Sequence, residues 1–245
     1  MTRKLQAVLW DMDGTIVDTE PYWFNAEAEL LDAYGKSWSP EQSEALIGNA
    51  LPLSAVALQE AGVDLGIREI INRLTDSVAA QVRQRVPWRP GARQLLQQLR
   101  DEAIPCALVT MSETTLAHEV VAQLPPDTFS VQVTGESVVH GKPEPDAYLL
   151  AANRIAEHHA DETSLSIDNM VAIEDSLTGV TSALTAGLAT VGVPNIVPLS
   201  PQPGLTIWST LADKTIEDLA ELLTMAPRIA GSSATLEVAA LGGEK

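Results

Sequence analysis

Five short apolar runs, rich in β-branched residues, constrain the fold most: LQAVLW (5–10), IPCALVT (104–110), FSVQVT (129–134), MVAIE (170–174) and ATVGV (189–193). Each has the length of a strand. Continuous apolar runs of this kind fit strands covered on both faces. Helical patterns separate the later runs, and that order predicts a Rossmann-like α/β core, a parallel sheet flanked by helices. With only Phe24 and Phe129 as phenylalanines among 245 residues, the core has to be built from Leu, Val, Ile and Ala.

The interval between the first and second runs breaks this rhythm. It holds almost nothing strand-like. Thr19 or Asp18 is placed to cap a helix through PYWFNAEAELLDAYG, where Trp23, Ala26, Leu30 and Leu31 recur at helical spacing and Gly35 ends it. Ser39-Pro40-Glu41-Gln42 has the form of a capping box with proline at the first helical position. Further helices are predicted in LPLSAVALQEAG and IREIINRLTDSVAAQVRQ. A crossover of this length implies an inserted α-helical cap domain at 17–87, with WRPG (88–91) as the return linker. The core is then 1–16 and 88–229. The small-residue, Gly-rich end, 230–245, is expected to be a poorly ordered tail.

Ligands of an open parallel sheet bind beyond the carboxyl ends of its strands. The first run ends in Asp11-Met12-Asp13, the second in Thr110-Met111-Ser112 and the fourth in Glu174-Asp175-Ser176, and Lys142 follows the third. Four acids, two hydroxyls and one lysine would therefore converge on one edge. Packed carboxylates repel unless a cation binds among them. Oxygen ligands suit Mg²⁺, and without histidine or cysteine at the strand ends zinc does not fit. The net charge of −18, from 15 basic and 33 acidic residues, argues against nucleic acid or anionic membrane as a partner. An anionic substrate needs local positive charge, which a bound cation, Lys142 and helix-start amides would supply. In the pair Asp11 and Asp13, one carboxylate would attack phosphorus while the other moves the proton. Taken singly, each motif has a plainer reading. These are an Asp-Gly turn, a helix N-cap at Thr110 or Ser112, a solvated loop lysine, and a strand-to-helix turn at 174–175.

Together, DMDGT, VTMS, GKPEPD and IEDS, in that order, resemble the four motifs of the haloacid dehalogenase-like superfamily. The helical insert resembles the cap of its subfamily I, the group that includes β-phosphoglucomutase and phosphoglycolate phosphatase. The resemblance implies Asp11 as nucleophile and Asp13 as general acid and base. Thr110 would hold the phosphoryl oxygens, with Met111 and Ser112 beside it, and Lys142 would offset negative charge. Mg²⁺ would be held by Asp11, the Asp13 carbonyl, Asp175 and Glu174. Glu20 and Asn49 are candidates to face the substrate.

Three functions compete. The first is a phosphatase of a small phosphorylated metabolite, a sugar phosphate foremost. The second is a phosphosugar mutase of the β-phosphoglucomutase kind, and the third a catalytically weak phosphometabolite-binding protein. The mutases of the group would place a histidine where Trp23 stands and an arginine near Leu51, so the departures favour a hydrolase. The full catalytic set counts against a sensor, which has no need of Asp13. Asp11 interrupts the N-terminal apolar stretch too early for a signal-peptide core, and no run approaches the roughly 18 residues of a membrane span. The lone Cys106 forms no internal disulfide. A cytoplasmic monomer with its own lid is the expectation.

Overall fold

The structure, a computed structural model, describes residues 4–44, 46, 50–160 and 164–225. The expected tail at 230–245 lies outside the described residues. In chain order, β1 (Ala7–Trp10) is followed by α1 (Glu20–Ala33), α2 (Pro40–Glu44), α3 (Leu51–Glu60) and α4 (Ile67–Gln84). The chain then returns through α5 (Ala92–Asp101), β2 (Cys106–Val109), α6 (Thr114–Val121), β3 (Val131–Val133) and α7 (Asp146–His158). It closes with β4 (Met170–Glu174), α8 (Leu177–Thr185), β5 (Ala189–Gly192), β6 (Leu205–Ile207) and α9 (Ile216–Met225).

All six strands are parallel, in the order β3-β2-β1-β4-β5-β6. Each of the five apolar runs contains one of them, and the sixth is the half-exposed edge strand beside Trp208. Two core clusters cover the two faces of the sheet. Val8, Trp10, Leu108 and Ile173 belong to one; Ala7, Leu9, Ala107 and Ala172 belong to the other. The strand order reverses around β1, which makes its carboxyl end the switch point where ligands of such sheets bind. The register sets Trp10 beside Leu108 of β2 and Ile173 of β4, so the residues that follow on all three strands emerge together.

The four inserted helices lie between β1 and α5, with α1 and α3 packed on α4, and α4 against α6. The two linkers of the insert pair with each other. The Asp18 amide donates to the Pro87 carbonyl at 2.8 Å, the Arg89 amide to that of Ile16 at 2.9 Å, and Val17 bridges Trp88 antiparallel. Arg89 braces this neck by donating to Asn195 Oδ1 at 2.7 Å, while the Asn195 amide group donates to Asp18 Oδ1 at 2.8 Å. Neither Thr19 nor Asp18 is a side-chain cap of α1. Thr19 occupies the N-cap position without the bond, because its hydroxyl turns to Asp13, and Asp18 is engaged by Asn195. Ser39 keeps half of its capping box, its amide donating to Gln42 Oε1 at 2.9 Å.

Candidate active site

Asp11 is the first residue beyond β1 and is 6% exposed. The turn that follows depends on Gly14. Its φ is +84°, and a Cβ there would lie 1.9 Å from Asp175 Oδ2, so both the backbone and the space demand glycine. Asp13, in this turn, accepts three hydroxyl bonds: from Thr19 at 2.5 Å, Ser112 at 2.7 Å and Thr110 at 3.2 Å. Thr110 Oγ1 also accepts the Ser112 amide at 3.0 Å. The hydroxyls expected to receive a phosphoryl group thus face Asp13 here. Ser112 does not cap α6, whose N-cap is Glu113.

Lys142 is no solvated loop residue. Its side chain is 5% exposed, and its ammonium donates to Asp11 Oδ1 at 2.7 Å, Glu174 Oε1 at 2.6 Å and the Val109 carbonyl at 2.9 Å. The loop carrying it is seated on Met111, whose sulfur accepts the Lys142 amide at 3.3 Å. Glu174, fully buried at the end of β4, also accepts the Tyr148 hydroxyl at 2.7 Å on Oε1 and the Asp175 amide at 3.2 Å on Oε2. The first turn of α8 closes over it because residue 179 is glycine; a Cβ there would lie 2.0 Å from the carboxylate.

One lysine does not balance this many acids. Burial, then repulsion from Glu174, pushes Asp11 up to about 7, with Lys142 pulling the other way. Burial, then Asp11 and Glu174, holds Asp175 well above the usual carboxylate range. For Lys142 itself burial acts to lower the value, but Asp11 and Glu174 outweigh it and the ammonium is held above its ordinary range. Asp11 Oδ2 is buried and has no hydrogen-bond partner among the described residues. Asp11, Glu174 and Asp175 offer three carboxylate oxygens within 4.8 Å of one another. All-oxygen donors and unrelieved repulsion fit a hard divalent cation.

A cavity of about 160 Å³ opens above these residues, between the strand ends and the insert. Asp11, Asp13, Thr110, Met111, Ser112, Lys142 and Asp175 line its floor, and Glu20 at the start of α1 reaches its wall. Glu174 is not on the lining; it stands behind Lys142. Asn49 lies outside the described residues. Three contributors were not singled out in the sequence. Thr19 was read as a cap, Tyr148 lay unremarked on α7, and Glu27 sits on the stripe of α1 that also buries Ala26, Leu30 and Leu31. An acid within an apolar stripe was the available signal for Glu27; Tyr148 offered none.

The sequence pattern of the haloacid dehalogenase-like hydrolases matches residues 5–187. The chain is 29% identical over 189 residues to the phosphorylated carbohydrates phosphatase of Thermotoga maritima, covering 75% of this chain and 82% of that protein. It is 31% identical over 194 residues to hexitol phosphatase A of Escherichia coli, covering 78% and 83%. Its fold matches that of CbbY from Rhodobacter sphaeroides, solved in complex with xylulose-1,5-bisphosphate, with a TM-score of 0.77 at 23% identity over 88% of this chain and 99% of that one. The family match spans all four motifs, three strand ends and the lysine they enclose, and the chain belongs to the haloacid dehalogenase-like hydrolase family.

Proposed function

We propose that this protein is a Mg²⁺-dependent phosphatase of small phosphorylated metabolites, sugar phosphates foremost, acting through an aspartyl-phosphate. The observation that carries the reading is the asymmetry of Asp11. Lys142 fixes Oδ1, while Oδ2 is buried, unpaired among the described residues and part of a side chain that lines the cavity. A carboxylate oxygen oriented in this way is an in-line nucleophile whose desolvation has been met by folding. Oδ2 forms a bond to phosphorus as the bond from phosphorus to the leaving oxygen breaks, and Asp13 gives that oxygen its proton. Asp13 then takes a proton from water. The water oxygen bonds to phosphorus, the bond to Asp11 breaks, and phosphate leaves. Thr19, Thr110 and Ser112 hold the Asp13 carboxylate for this double duty. Lys142 offsets charge on Asp11 and the phosphoryl group, and Glu174 with Tyr148 keeps the lysine in place. Asp11, the Asp13 carbonyl and Asp175, with Glu174 behind them, would hold Mg²⁺, which when bound supplies positive charge to the phosphoryl oxygens.

The relatives at 29% and 31% identity are named as phosphatases of phosphorylated carbohydrates and hexitols, which supports the substrate class. Against the mutase, Trp23 and Leu51 line the cavity where a histidine and an arginine would be expected, and Lys142 is the only basic side chain lining it among the described residues. Residues 17–87 serve in this proposal as a cap hinged at Ile16-Val17 and Trp88-Pro90, in a cytoplasmic monomer. No helix of the described residues is long and apolar enough to cross a membrane. The test is phosphate release from a panel of phosphorylated sugars, nucleotides and small acids, with Mg²⁺ and with chelator, beside Asp11→Asn. Mg²⁺-dependent turnover that the variant abolishes is expected. Turnover that survives in Asp11→Asn would refute the aspartyl-phosphate.

A further inference from the structure

The roof of the cavity carries acids of its own. Glu27, in the middle of α1, is 4% exposed and lines the cavity, and its Oε2 has no hydrogen-bond partner among the described residues. Glu20 lies two turns earlier on the same helix face and lines the same space. Around them the wall is largely apolar, with Trp23, Phe24, Leu51 and Leu74 beside the hydroxyls of Ser43 and Ser54. A buried carboxyl oxygen with nothing to bond is costly unless something completes it. Among the described residues no helix cap, ion pair or neighbouring side chain completes Glu27 Oε2.

Resting on the phosphatase reading, we infer that Glu27 is a specificity-determining residue that accepts hydrogen bonds from the leaving group. It would restrict the enzyme to monophosphates whose leaving group bears hydroxyl or amine protons and no second anion. The charge inventory argues for both halves. A second phosphate or a carboxylate on the leaving group would rise toward Glu20 and Glu27 and find no cation among the described residues lining the cavity, since Lys142 is committed to Asp11 and Glu174 on the floor. A hydroxyl or ammonium hydrogen finds an acceptor already desolvated, with apolar walls to pack the carbon frame. Burial, with repulsion from Glu20, pushes Glu27 up to about 8, so Glu27 itself carries little charge at neutral pH toward an entering monoester. A site with a polar group poised for a substrate donor discriminates strongly against analogues that lack it.

The test compares wild type, Glu27→Leu and Glu27→Gln on four esters. These are glucose 6-phosphate, glucosamine 6-phosphate, fructose 1,6-bisphosphate and phenyl phosphate, whose leaving group carries no hydrogen-bond donor. In Glu27→Leu the ratio of kcat/KM on the better of the two hexose monophosphates to that on phenyl phosphate should fall about tenfold or more, chiefly through KM. Glu27→Gln keeps an acceptor oxygen and should retain more of the ratio. Which monophosphate leads separates hydroxyl from amine recognition, and either order supports the assignment. An equal fall on the hexose monophosphates and phenyl phosphate in both variants overturns the role of Glu27 alone. Wild-type turnover of the bisphosphate as fast as of glucose 6-phosphate overturns the exclusion of a second anion. Release from none of the four by wild type overturns the inference, and release from no member of the wider panel overturns the phosphatase reading with it.

Discussion

Replacing Glu27 with glutamine should stabilise the protein, and more so as pH rises. In the folded chain this carboxyl is almost wholly out of water, and burial, aided by Glu20, raises it from the ordinary 4.5 to about 8. The folded state therefore prefers the neutral acid. Its contribution is fully present below the unfolded value near 4.5 and is lost as pH climbs through about 8. Each tenfold separation of proton affinity is worth about 1.4 kcal/mol, which sets a ceiling of about 5 kcal/mol. Water at the open mouth of the cavity screens the charge, and a loss of about 2 kcal/mol is expected. Glutamine keeps the shape and never ionises. The variant should match wild type near about pH 5 and exceed it by about 2 kcal/mol near about pH 9, with an unchanged denaturant slope. Urea unfolding of both proteins at the two pH values measures this. Asp11, Asp175 and Glu20 titrate in both proteins and largely cancel in the difference. Parallel stability–pH curves for the two proteins would refute the claim that Glu27 is desolvated. A stabilising substitution at a cavity residue is the signature of an acid retained for binding rather than for folding.

Two further outcomes follow from the floor of the site. Lys142→Met leaves Asp11 and Glu174 buried without their common partner and should cost about 3–5 kcal/mol in urea unfolding; a loss under about 1 kcal/mol would show the cluster to be solvated. Gly14→Ala must take a φ of +84° with a Cβ inside the Asp175 carboxylate. It should lower stability by about 1–2 kcal/mol from the backbone alone, and should abolish any rise in melting temperature on adding Mg²⁺, so a wild-type Mg²⁺ response would refute the placement of Asp175.

Much of the sheet was legible because its strands are short, doubly covered and therefore continuously apolar. MVAIE and ATVGV announce β4 and β5 by composition alone. The edge strand Leu205–Ile207 was harder to read, since a half-exposed segment lacks that signal. The floor of the site was legible for a related reason. Acids at the ends of apolar runs conflict with burial, and in a parallel sheet the ends of consecutive strands meet. The roof was much less legible. Trp23, read as part of a packing stripe, does pack against the core and also lines the cavity, while Glu27, four residues on, is buried. On an isolated helix an acid at that position would face water.

The order of strands and helices, the interruption after β1 and the chemical kinds of group at the sheet edge are all written in the linear chain, because these depend on local pattern and chain direction. Which of those groups touch depends on how the folded elements pack. Lys142 and Asp11 are separated by 131 positions and meet at 2.7 Å because β1 lies between β2 and β4 and the loop before α7 folds back over their ends. The same packing turned Glu27 inward, gave Tyr148 to Glu174, and sent Thr19 to Asp13 in place of the helix it precedes. Burial and partnership are properties of surfaces brought together from distant parts of the chain. A charge pattern along a single segment carries no record of the surface that will cover it.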